Sequence, residues 1–166
     1  MTIRRTAALA AAACLLFAAA PRAPAQRIPT ITIDRDTSVI THATGTFEVK
    51  IQPLTTDVAG LARFALDKTY SGDLQGTSKG EMLANGGAEG FGVYTAIEVV
   101  TATLAGKSGT FALHHYGVMD GGAPTLEGRI VPGSGTGALT GISGTFTILL
   151  EGGKHGYALD YTLPGS

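Results

Sequence analysis

The chain has 166 residues, of which 44% are hydrophobic and 15% charged, with a formal net charge of −1 and a single cysteine. A chain of this length makes one hydrophobic core with little left for a second, and its near-neutral balance lacks the clustered Lys and Arg that nucleic acid demands. One cysteine excludes a disulfide framework, and the absence of Trp argues against a stacking platform for single-stranded nucleic acid.

Arg4 and Arg5 precede the apolar run AALAAAACLLFAAA, and Ala23-Pro24-Ala25 follows it in the A-x-A form of a cleavage site. The pattern predicts a signal peptide over residues 1–25, a mature chain from Gln26 and a periplasmic or secreted product. Cleavage would remove Cys14 together with Arg4, Arg5 and Arg22, leaving nine of the twelve basic residues against thirteen acidic ones, a formal charge of −4. A lipidated Cys14 is the alternative; it fits less well because the apolar run continues through Leu15, Leu16 and Phe17. The paired arginines leave the export route open. Beyond the signal no apolar stretch approaches the roughly 20 residues of a membrane helix.

Residues 26–42 read as an extended lead-in with Pro29 and the β-branched Ile31-Thr32-Ile33, and 43–166 as a β domain. Strands are expected near 43–52, 62–71, 73–83, 91–104, 109–119, 125–131, 134–140, 144–151 and 155–163. The breaks between them carry turn residues: Gln52-Pro53, Ala84-Asn85-Gly86-Gly87, Asp120-Gly121-Gly122 and Glu151-Gly152-Gly153. The octapeptide LAGKSGTF (104–111) returns 35 residues later as LTGISGTF (139–146), with a shorter echo, TGTFEV, at Thr44. Both copies read as hairpin reversals. No segment has helical periodicity, so the chain is all-β, an antiparallel meander closed into a barrel or folded into a sandwich.

Pairing Leu104 with Gly109 sets Phe111 opposite Ala102, Leu113 opposite Val100 and His115 opposite Glu98. Pairing Met82 with Tyr94 aligns Leu74, Ser78 and Met82 on the same face, with Asp73, Gln75, Thr77, Lys79 and Glu81 towards solvent. In the second repeat, Leu139 against Gly144 would place Phe146, Ile148 and Leu150 opposite Gly137, Gly135 and Gly133. VPGSGTGAL then serves close approach at a corner, since a strand follows it and not the helix a phosphate loop needs.

Glu98 and His115, facing each other inside an apolar shell, are the candidate acid–base pair; the plainer reading is a satisfied polar pair that fixes register. Ser78, Tyr94, Met82 and Leu113 flank them as candidate ligand contacts. Tyr157 and Tyr161, alternating with small residues in the last strand, are candidates for a cavity wall. Metal binding is not favoured: His114 and His115 point to opposite faces, and with His155 and Glu98 they make no recognised spacing. Lys68, Glu81, Glu127 and Arg129 read as surface charges.

The runs YSGDLQGTSKGEML, TLAGKSGTFALHHYGVM, VPGSGTGALTGISGTF and HGYALDYTLP resemble the bacterial domain of unknown function family 3224, over roughly Ala43 to Pro164. The resemblance implies a closed eight-stranded antiparallel meander barrel of the allene oxide cyclase-like and dirigent-like type with a central cavity, so one of the nine segments should merge with a neighbour. In that family a Gln often precedes the His at the position of His115; this chain has His114 there, which leaves His115 as the cavity candidate. The fold implies no reaction. Three functions follow in order: a binding barrel for a small apolar or amphipathic molecule, a cofactor-free isomerase or cyclase using Glu98 and His115, and a structural or assembly barrel with a filled interior. None calls for a cofactor. A homo-oligomer stays open, since the outward set Thr44, Thr46, Glu48 and Lys50 forms no apolar patch.

Overall fold

Alternation with a period of two organises every strand, and the strand from Phe91 to Leu104 displays it most fully. Ala96, Glu98, Val100, Ala102 and Leu104 are buried, while Val93, Thr95, Ile97 and Val99 between them face out. β-branched residues dominate the outward set, as suits a pleated surface. The computed structural model describes residues 39–86 and 89–164. The expected signal peptide and its cleavage site, Cys14, the lead-in up to residue 38, and Gly87 lie outside the described residues.

Eight strands follow one another: β1 (Thr41–Leu54), β2 (Ala62–Gly72), β3 (Leu74–Gly86), β4 (Phe91–Leu104), β5 (Lys107–Asp120), β6 (Thr125–Ile130), β7 (Ser143–Glu151) and β8 (Lys154–Thr162). Each pairs antiparallel with the next, and β8 returns to β1, closing a barrel in meander order. Among the described residues, closure leaves no open sheet edge.

Two registers differ from the expected ones by two residues. Leu104 pairs with Lys107, not Gly109, because the β4–β5 turn contains only Ala105 and Gly106, at φ 49° and 74°. Two consecutive positive φ values make this a two-residue hairpin turn of the kind that matches strand twist. Glu98 therefore lies opposite Leu113, and His115 opposite Ala96. In the β3–β4 hairpin Met82 pairs with Ala96 instead of Tyr94. A shift of two preserves the faces, so Glu98, His115, Ser78 and Met82 still point inward.

The second octapeptide is not a hairpin, and the strand expected over 134–140 does not form. Gly133 and Gly137 have positive φ (74° and 60°), and a short 3-10 turn occupies Gly137–Leu139. Side chains complete the bonding to β5 there: the Val131 and Thr136 N–H groups donate to the Ala112 and Thr110 carbonyls at 2.8 Å each, while Ser134 Oγ accepts from Ala112 N–H at 2.9 Å and Thr136 Oγ1 from Thr110 N–H at 3.1 Å. Phe146 consequently faces Gly128 of β6. The close approach expected of this Gly-rich run does occur, but against β5: a Cβ on Gly109 would lie 2.1 Å from the Thr136 carbonyl oxygen.

This loop closes one end of the barrel. Leu139 and Ile142 are buried with Leu74, Leu104, Phe111 and Leu163, and the interior above them is filled by Phe146, Tyr157, Leu159 and Tyr161. The other end, where β1, β3, β5 and β7 finish, stays open.

Candidate functional site

Four polar side chains lie buried between the filled and the open halves: Lys68 from β2, Ser78 from β3, Glu98 from β4 and His115 from β5. Glu98 is their centre and is fully withdrawn from solvent. Its Oε1 accepts from Lys68 Nζ at 2.7 Å and from the Tyr70 hydroxyl at 3.2 Å, and lies 3.2 Å from His115 Nε2. Its Oε2 accepts from the Ser78 hydroxyl. Burial alone would raise the Glu98 carboxyl, but the hydrogen bond from His115, the Lys68 charge and the bonds from Lys68 and Ser78 outweigh it, and its pKa falls to about 2. Glu98 is therefore a fixed carboxylate. Among the described residues no buried side-chain nitrogen or oxygen lacks a partner, as such a layer requires.

Small residues make the layer possible. A Cβ on Gly80 would meet the Ile97 carbonyl oxygen at 2.3 Å and Glu98 Cα at 2.6 Å, so β3 and β4 come together there only because Gly80 has none. Gly117 does the same for Tyr94: the ring lies across β5 where a Gly117 Cβ would be 2.2 Å from it. In that position the Tyr94 hydroxyl is 3.4 Å from His115 Nδ1, and the two rings meet edge to face. With its proton on Nε2, His115 donates to Glu98 and accepts at Nδ1 from Tyr94. Lys68 Nζ stands 3.4 Å from the same Nε2 and 4.7 Å above the Phe47 ring. Burial, reinforced by the Glu98 charge, pushes the Tyr94 phenol up to about 12 and raises Tyr70 further.

Above this layer a cavity of about 290 Å³ runs to the open end. Its walls are Phe47, Val49, Ile51, Leu66, Met82, Leu126, Ile148 and Leu150; its polar groups are Lys68, Tyr94, His115 and His155. The volume is at the small end of the roughly 300–1,000 Å³ common to ligand sites.

Of the residues expected to bind ligand, Tyr94 and Met82 line this cavity. Ser78 lies beneath the floor bonded to Glu98, and Leu113 is buried below it. Tyr157 and Tyr161 sit in the filled half, where the Tyr157 hydroxyl accepts from Leu74 N–H at 2.8 Å. Glu98 and His115 do come together, on a diagonal and not directly opposite, and only His115 reaches the cavity. Lys68, expected at the surface, is 3% exposed at the heart of the cluster. The signal for it was its phase: Leu66, Lys68 and Tyr70 alternate with Asp67 and Thr69, and a strand has two faces. Among the described residues no group of three His, Cys, Asp or Glu side chains is placed to hold a metal ion.

A family model described as "Protein of unknown function (DUF3224)" matches residues 43–161. Among solved structures, a protein of unknown function from the DUF3224 family of Shewanella oneidensis MR-1 is similar to this chain, with 40% sequence identity and a TM-score of 0.72. The match covers 77% of this chain and 100% of that one. Comparison with curated proteins finds no match.

Proposed function

This chain belongs to the DUF3224 family, and on that footing we propose that it is an exported binding barrel for a small amphipathic molecule. The supporting observation is the cavity itself, apolar along its walls and polar at its floor. An apolar body fits against Phe47, Val49, Leu66, Met82, Leu126 and Ile148. One oxygen-bearing end meets Lys68, His115 and Tyr94. Glu98 is the counter-ion that keeps Lys68 in place under the ligand, since its carboxylate already serves four donors. Export rests on Arg4, Arg5, the apolar run and Ala23-Pro24-Ala25.

The test compares the intact mass of the protein, isolated from its native compartment, under native and denaturing conditions, followed by titration with the amphiphile 1-anilinonaphthalene-8-sulfonate. A stoichiometric small molecule, or saturable one-to-one binding of the fluorophore that Met82→Trp blocks by filling the cavity, supports the reading. Absence of both, or binding indifferent to Met82→Trp, overturns it.

A second reading, a cofactor-free isomerase or cyclase, draws on the His115–Tyr94 contact at the cavity floor. In it His115 moves the proton and Glu98, held ionised, steadies the imidazolium that forms. Turnover of a bound molecule that His115→Gln abolishes while binding persists would favour catalysis over carriage.

A further inference from the structure

We propose that the outer face of β4 and β5 docks a second copy of this chain about a two-fold axis parallel to those strands. From Val93 to Thr103 on β4 and from Ser108 to Val118 on β5 the outward residues include no Lys, Arg, Asp or Glu. Apolar side chains occupy the middle of this strip: Ile97 is 58% exposed, Val99 54% and Val93 48%, with Tyr116 and Val118 beside them. Outward positions elsewhere on the barrel carry charge, among them Glu48 and Lys50 on β1, Asp67 on β2, and Glu127 and Arg129 on β6. An uncharged stripe framed by charge is the surface of an interface, with an apolar centre and a polar rim.

The register of the rim identifies the occupant. Glu81 on β3 pairs with Ile97, Ile97 with His114, and His114 with Arg129 on β6, so one row across four strands begins with a carboxylate and ends with a guanidinium. A two-fold axis along the strands, passing between β4 and β5, reverses that row. It sets Glu81 of each copy opposite Arg129 of the other, Ile97 opposite His114, and Thr95 opposite Tyr116. The contact is self-complementary, as an isologous interface must be. Arg129 has no ion-pair partner within its own chain among the described residues, whereas Glu81 binds Arg63. A partner of other chemistry would not need opposite charges at matched positions on both flanks.

Sedimentation velocity of the protein as isolated from cells, from about 1 µM to about 500 µM, brackets an interface of small to standard size. The expected result is a concentration-dependent dimer. Glu81→Lys and Arg129→Glu should each weaken it at least about tenfold, since each sets like charges face to face twice. Mixed together, the two variants should restore it, because the heterodimer pairs Lys with Glu at one rim and Arg with Glu at the other. That restoration also establishes that both variants are folded. A monomer throughout the range, a trimer or open polymer, a dimer indifferent to both substitutions, or a mixture no tighter than its components would each overturn the proposal.

Discussion

Lys68 Nζ lies 2.7 Å from Glu98 Oε1, and the two side chains are 3% and 0% exposed, so the barrel holds an ion pair away from water at the boundary between its filled and open halves. Taking both charges out of water is costly, and attraction offsets that only when the remaining hydrogen-bonding capacity is met. Ser78, Tyr70 and His115 meet it. The pair thus marks where packing ends and the open cavity begins.

Removing one member should be far worse than changing both. Lys68→Met leaves the Glu98 carboxylate buried without its cation, and a loss of about 3–5 kcal/mol is expected. The double variant Lys68→Met/Glu98→Gln should recover a large part of it, with a coupling of about 2 kcal/mol or more in a cycle measured by urea unfolding. Additive losses would mean that the two charges do not feel each other.

Acid should remove the contribution of Glu98 late. Its carboxyl falls from an ordinary 4.5 to about 2 on folding, so the folded state holds the charged form more strongly than the unfolded chain does. The resulting stability, about 3 kcal/mol, is present above the unfolded value of 4.5 and is lost as pH falls through about 2, below which both states are protonated. The difference in unfolding free energy between the protein and Glu98→Gln should stay constant from neutrality to about pH 5 and shrink only below it. A difference that shrinks between pH 7 and 5 would contradict a depressed carboxyl.

How much of this was legible in the sequence depended on parity more than on register. The hairpin of β4 and β5 is displaced by two residues because Ala105 adopts a positive φ, which an alanine does not advertise. An even error leaves every side chain on its own face, so Glu98 and His115 were still found together. Lys68 was hidden by its residue type, since a lysine is almost never fully buried unless paired. The division into filled and open halves was not legible either. Tyr157 and Tyr161 share the inward face with His155, and only the loop carrying Leu139 and Ile142 determines which end is filled.

Gly80 and Gly86, both in β3, should respond in opposite ways to alanine. At Gly80 the new Cβ meets backbone atoms of Ile97 and Glu98 that cannot turn aside, whereas at Gly86 no atom of the described residues lies within 4 Å. Gly80→Ala is expected to cost at least about 3 kcal/mol and to disturb the Glu98 cluster with it. Gly86→Ala should fall within about 0.5 kcal/mol of the parent. Equal losses in chemical unfolding would mean that β3 and β4 separate easily at Gly80.

Tyr157→Phe should separate stability from binding. The phenol oxygen accepts from Leu74 N–H at 2.8 Å, where the chain turns from β2 into β3, and lies 3.4 Å from the carbonyl oxygens of Ser71 and Leu74. Removing it leaves the Leu74 amide buried without an acceptor, at a cost of about 1–3 kcal/mol. The ring remains, and so does its stacking on Phe146 at 5.8 Å. Because Tyr157 lies below the polar layer and does not line the cavity, fluorophore affinity should be unchanged while the melting temperature falls. Weakened binding at unchanged stability would instead return Tyr157 to the cavity wall and extend the ligand site through the Lys68–Glu98 layer.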